Sequence, residues 1–124
     1  MSGLPVNGLA VARSLDLSNT GLLIKAGAGK LYGWRLWSVD TDEVYLKFYD
    51  KATAGTSADT PIMTVGISGS DILLTGEDGH PDDFFAMHGI KFELGLSARV
   101  VTGLADNDNN DPGTNVVSGN FFYS

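Results

Sequence analysis

Short runs of alternating apolar and polar residues, each cut off by glycine or small polar residues, dominate this chain. Period two places one face of a strand inward, and no segment carries the 3.6-residue repeat of an amphipathic helix, so the chain is confined to β-architecture. Ile90, Phe92 and Leu94 alternate with Lys91, Glu93 and Gly95, the pattern of a half-buried strand. Leu15 and Leu17 stand two apart in a short run over 11–17, and 22–25 follows, ending at Gly27-Ala28-Gly29, where glycine frees the backbone for a turn. The runs 31–39 and 44–51 flank Asp40-Thr41-Asp42-Glu43 and read as a hairpin with a four-residue loop. Pro61 opens a run over 62–67, where proline is tolerated at a strand start. Further strands are predicted at 71–75, 97–102 and 116–123. Residues 82–88 offer one helical turn at most, with Asp82 or Asp83 capping Phe84, Phe85, Ala86 and Met87. Eight or nine short strands at this spacing predict an all-β fold, an antiparallel β-sandwich that is jelly-roll-like.

Composition narrows the function classes. The 124 residues hold 15 Asp and Glu against 8 Lys and Arg, a net charge of −7, which argues against a nucleic-acid partner that needs a basic face. Hydrophobic residues make up 43%, enough to exclude a disordered chain. The absence of cysteine excludes a disulfide scaffold and a thiolate metal site. No basic cluster precedes an apolar stretch near Met1, and no apolar run approaches the ~20 residues of a spanning helix, so neither a signal peptide nor a membrane partner is expected.

Several segments suggest chemistry. In the expected hairpin, Val39 faces Val44, Trp37 faces Leu46 and Arg35 faces Phe48, which makes Val39, Trp37, Val44, Leu46 and Phe48 the core candidates. The opposite face then carries Tyr32, Trp34, Leu36, Tyr45 and Tyr49 with Lys47 and Lys51. Aromatic residues with polar tips beside lysines suit a protein interface or a carbohydrate site, so Tyr32, Trp34, Tyr45 and Tyr49 are the candidate interface. The alternative is that a second sheet covers them. Asp106, Asp108 and Asn110 match the first three alternating ligands of an EF-hand, but Asp111 replaces the required glycine and Val117 the closing glutamate. A solvated turn or a cation site of another kind remains. His80 and His88, with Asp82 and Asp83 nearby, match no metal spacing. Ala26-Gly27-Ala28-Gly29-Lys30 lacks the first glycine and the Ser/Thr of a phosphate loop, because Ile24 and Leu31 occupy those places. There is no nucleophile elbow and no cysteine nucleophile. The chain is therefore read as a non-enzyme without a cofactor.

Phrases in one order then suggest a family: Lys25-Ala26-Gly27-Ala28-Gly29-Lys30-Leu31-Tyr32-Gly33-Trp34, Tyr45-Leu46-Lys47-Phe48-Tyr49-Asp50-Lys51-Ala52, and Asp59-Thr60-Pro61-Ile62. Gly89-Ile90-Lys91-Phe92, Val101-Thr102-Gly103-Leu104-Ala105-Asp106-Asn107-Asp108 and Gly119-Asn120-Phe121-Phe122-Tyr123 complete the order. Over 22–124 the chain resembles small β-rich virion structural proteins of tailed bacteriophages. The resemblance implies a capsid decoration (cement) protein on the head surface, a homo-oligomer of three copies contacting the major capsid protein, assembled in the host cytoplasm and located in the virion. A head fibre or spike, a tail or head-tail module, and a glycan-binding module with Trp34 open to stack on a sugar are the alternatives. Residues 1–21 fall outside the resemblance and are expected to form an extended arm ahead of a sandwich domain over 22–124. The acidic loop at 76–83, with Glu77, Asp78, Asp82 and Asp83, departs from the family pattern and has no assigned role.

Overall fold

Alternation becomes nine strands in the computed structural model, which describes residues 9–67 and 89–124 together with the backbone of 72–74. The strands are β1 (Ala10–Ser14), β2 (Leu22–Ala26), β3 (Gly29–Ser38), β4 (Val44–Asp50) and β5 (Met63–Ile67), then β6 (Ile72–Leu74), β7 (Ile90–Phe92), β8 (Gly95–Val101) and β9 (Val117–Tyr123). No helix occurs among the described residues. All pairings are antiparallel and form two sheets. The first runs β1-β9-β3-β6, with β7 also paired to β3, and the second runs β2-β8-β4-β5. The predicted all-β sandwich is thus the fold.

The predicted hairpin is not. β3 and β4 lie in different sheets, so the pairs Val39–Val44, Trp37–Leu46 and Arg35–Phe48 do not form. The reason lies in the ladder edges. β3 uses one edge on β9 and the other on β6 and β7, while β4 uses its edges on β8 and β5. Val39 still donates its N–H to Val116 O at 3.0 Å, and the chain then leaves the first sheet. Local bonds shape the crossing: Asp40 N–H donates to Ser38 Oγ (3.1 Å) and Asp42 N–H to Asp40 Oδ1 (3.0 Å). Polar side chains that read as a hairpin loop serve equally well to turn the chain between layers.

A second departure changes which side chains share a face. The register of β3 against β9 shifts between Leu31 and Gly33, an irregularity that places Leu31, Trp34 and Leu36 inward together. An extra residue in a ladder reverses the alternation beyond it. Trp34 and Leu36 therefore enter the core instead of the outer aromatic face. Trp34 meets Phe48 across the sheets at 5.1 Å between ring centroids, and Phe48 meets Phe121 edge-on at 5.8 Å. Val44, Leu46, Phe48, Leu96, Ala98, Val100, Val117 and Phe121 fill the rest of the interior. Each large apolar side chain buried this way contributes roughly 1.5–3 kcal/mol.

The amino-terminal expectation also needs revision for the part described. Residues 10–14 form the strand β1 on β9, and Leu17 is buried in the core. Leu17 N–H donates to Val117 O (2.8 Å) in the first sheet, and Val100 N–H donates to Ser18 O (2.9 Å) in the second. Residues 10–18 consequently belong to the sandwich rather than to an arm. The acidic loop at 76–83, His80, His88 and the helical turn considered at 82–88 lie outside the described residues.

Candidate functional site

The two outer faces of the sandwich differ in kind. On the second sheet, outward positions on the central strands are Lys47 and Tyr49 of β4 and Ser97, Arg99 and Val101 of β8. All five are buried. Loops cover them. Arg99 donates from Nε to Tyr49 Oη (2.7 Å), from Nη1 to Asn109 Oδ1 (3.1 Å) and from Nη2 to Asp108 O (2.8 Å). Its guanidinium also sits 5.7 Å from the centre of the Tyr49 ring, a cation–π arrangement. Lys47 Nζ donates to Ala105 O. From the other side, Gly55 N–H donates to Ser97 Oγ at 2.8 Å. Gly55 rests so closely on Tyr49 that a Cβ there would stand 2.5 Å from the ring.

Two cations buried under one loop impose an electrostatic cost. Burial, reinforced by the Arg99 charge, lowers the pKa of Lys47, while Asp108 and Asp106 oppose the shift. Burial likewise raises the Tyr49 pKa, with the Arg99 hydrogen bond working against it. This gives the run at 106–111 a structural role. Asp108 Oδ2 accepts from the N–H groups of Gly103 (3.0 Å) and Asn110 (3.2 Å), and Oδ1 accepts from Asn110 Nδ2 (3.0 Å). Asn19 Nδ2 donates to Asn109 O at 3.0 Å, tying the lid to the segment before β2. Of the three calcium-like positions, Asp108 and Asn110 are thus bonded to each other and to the backbone, and Asp106 is exposed. Among the described residues, no three His, Cys, Asp or Glu side chains gather into a group able to hold a metal.

The outer face of the first sheet has no such cover among the described residues. Register places Val11 beside Phe122, and Arg13 beside Asn120, which is flanked on its other side by Arg35. Trp37 follows, opposite Ser118. Val11, Leu15 and Val39 are more than half exposed, at 51%, 54% and 66%, and Trp37 is 39% exposed. Two arginines and no carboxylate lie among these outward strand positions. Apolar residues grouped on one sheet face around a tryptophan and arginines are the composition of an interface centre.

The four aromatic residues expected to form one interface are therefore separated. Trp34 is in the core, at 4% exposure, where no sugar ring can stack on it. Tyr49 is sealed beneath Gly55 and beside Arg99. Tyr45 is half-buried on the second sheet, and its hydroxyl donates to Glu43 Oε1 at 2.8 Å, a bond that raises its pKa. Tyr32 is half-buried and lines a groove with Lys25, Lys30 and Lys91. Trp37 and Val39, taken from sequence as core, are exposed instead, whereas Val44, Leu46 and Phe48 are core as expected. Sequence reasoning missed Arg99 and the open face because each depends on which strands are neighbours. The chain matches no protein-family model, no curated protein and no solved structure.

Proposed function

We propose that this chain is a structural virion protein of a tailed bacteriophage, a capsid decoration protein that sits on the head surface as a closed ring of three copies. The observation that carries this reading is the contrast between the two outer faces. One is sealed by a bonded polar lid; the other presents Trp37, Val11, Phe122 and Val39 with Arg13 and Arg35. The occupant of the open face is a second copy of this chain. A face whose described residues include two arginines and no carboxylate complements the remaining surface of a chain whose net charge is −7. Repetition of such a contact between unlike patches closes into a ring of three where each copy is turned a third of a circle from the last.

Two further features support a particle component. The family resemblance over 22–124 is to virion proteins. The sheet orders β1-β9-β3-β6 and β2-β8-β4-β5 alternate most successive strands between layers, as a jelly roll does when two antiparallel ribbons wind into a sandwich. In this reading the major capsid protein takes the surface that remains outside the ring, and assembly occurs in the host cytoplasm. A tail location would use the same ring at a different place.

Two measurements test the proposal. Light scattering coupled to gel filtration should give a trimer mass for the wild type, and Trp37→Asp should give a folded monomer. A cryo-EM reconstruction of the particle should place rings of the protein on the head. A wild type that is monomeric both in solution and on the particle would remove the ring, and absence from the particle would remove the virion assignment.

A further inference from the structure

We propose that the groove between Lys25, Lys30, Lys91 and Tyr32 binds a small polyanion, a ligand carrying two or more phosphate or carboxylate groups. The proposal does not depend on the virion reading. The groove has a volume of about 400 Å³, within the range of small-ligand sites. Three of the five lysines of an acidic chain line it.

The placement of those lysines is costly without a ligand. In the β3–β7 ladder Lys30 is directly opposite Lys91, so both side chains leave the same face, and both are exposed. Like charges directly opposite one another destabilise an antiparallel pair. A third cation arrives from the other sheet. Lys25 of β2 lies across Gly29, where a Cβ would stand 2.9 Å from its Cδ and 3.3 Å from its Nζ. Glycine at this position is required first by the Ser124 carbonyl oxygen, the nearest atom to such a Cβ, and the Lys25 chain packs beside it. Among the described residues the sole ion pair is Lys51–Asp59 at 2.7 Å, so none of the three groove lysines has a carboxylate partner there.

The fourth wall is also built rather than incidental. Tyr32 is the extra residue at the register shift between Leu31 and Gly33, and it stays outside the inward stripe that holds Leu31 and Trp34. Its ring packs on Gly89, whose φ of +73° is a conformation that favours glycine. A Cβ at Gly89 would lie 3.2 Å from Lys30 Cβ and 3.3 Å from the Tyr32 ring. Main-chain bonds hold the floor: Ser124 N–H donates to Lys30 O (2.9 Å) and Lys30 N–H to Ser124 O (3.2 Å). The segment that fails as a phosphate loop thus forms the rim of this groove, with lysine ammonium groups rather than backbone amides as the donors.

Titration of the full chain with inorganic pyrophosphate, and separately with citrate, followed by amide and lysine NMR, tests the site. Saturable shifts confined to residues 25–32 and 89–92 are expected with at least one of the two, and the better ligand tells phosphate from carboxylate. Lys30→Ala and Lys91→Ala should each weaken binding about ten-fold, as the loss of one charge-assisted contact implies. Lys30→Glu should abolish binding while raising the thermal midpoint, because it turns the cross-strand repulsion into attraction. Non-saturating shifts with both anions, equal affinity in the alanine variants, or equal responses at Arg13 and Arg35 would each overturn the proposal.

Discussion

Replacing Arg99 by alanine should open the lid over the second sheet at a cost of about 3–5 kcal/mol, the balance between three lost hydrogen bonds from a charged donor and the relief of its desolvation. The magnitude follows from the contacts. Arg99 is fully buried and supplies all three of its bonds to neutral oxygens, those of Tyr49, Asn109 and Asp108. Hydrogen bonds from a charged donor contribute roughly 1.5–3 kcal/mol each, about 4.5–9 kcal/mol for the three. Relief from burying the guanidinium offsets part of that sum. The remainder is still about a fifth or more of the ~5–15 kcal/mol that holds a typical domain folded. Arg99→Lys should recover only part of the loss, since one ammonium cannot reproduce the fork that joins Tyr49 to the loop. Urea unfolding followed by tryptophan fluorescence gives the free energy, with Trp34 reporting from the core. Hydrogen exchange at the Gly103 and Asn110 amides gives the local opening, because both are bonded to Asp108. An alanine variant within 1 kcal/mol of wild type, on this ~3–5 kcal/mol expectation, with unchanged exchange at those two amides, would show that the loop holds itself.

Gly55→Ala should destabilise by about 1–3 kcal/mol in the same urea assay, because the added methyl would overlap the Tyr49 ring beneath Arg99. Trp34→Ala should cost about 3–5 kcal/mol, as a core truncation does, and a variant of unchanged stability would refute its place against Phe48. Asp108→Ala should lower the thermal midpoint equally with and without calcium; a wild-type midpoint that rises with calcium and a variant that does not respond would restore the cation reading. Asp50 is expected to contribute to acid stability. Partial burial opposes its charge, but N–H donors from Leu94, Glu93 and Gly95 outweigh that effect and hold its pKa below the usual carboxylate value. The unfolded chain then binds the proton first as pH falls, so stability rises with pH through the acid range and is lost on falling through the folded pKa. Asp50→Asn should flatten that part of the pH profile, and an unchanged profile would refute the assignment.

The strands were legible in the sequence because the signal for a strand is local. Ile90 and Phe92 alternate with Lys91 whatever lies beside them, and β7 forms there. Partner choice is not local. The polar run at 40–43 suits a tight hairpin and a crossing between sheets alike, and only competition from β9, β6 and β7 for the edges of β3 decides the matter. The misplacement of Trp34 has the same origin. Strict alternation assigns it to the face of Tyr32, and a one-residue shift in the ladder, which no residue type announces, sends it inward. Arg99 illustrates a different limit. An arginine between Ala98 and Val100 reads as the solvent side of a strand, and it becomes interior only because a loop ten residues further on folds back over it.

The distribution of basic residues ties these surfaces together. Of eight basic side chains in the sequence, Lys47 and Arg99 lie under the lid, Arg13 and Arg35 flank the open face, and Lys25, Lys30 and Lys91 line the groove. Lys51, the last, pairs with Asp59. No basic side chain is left to neutralise the general surface, which is why the remainder carries the acidic charge. A chain with spare cations would scatter them among its carboxylates, where isolated surface pairs add little stability. Here the sealed pair meets carbonyl oxygens and the Asp108 loop, which accounts for its presence within one molecule. The two exposed groups have no equivalent compensation among the described residues. That is the common ground of the two proposals, which give each group a complement outside the chain: the acidic surface of another copy for the flat apolar face, and a small anion for the concave lysine groove.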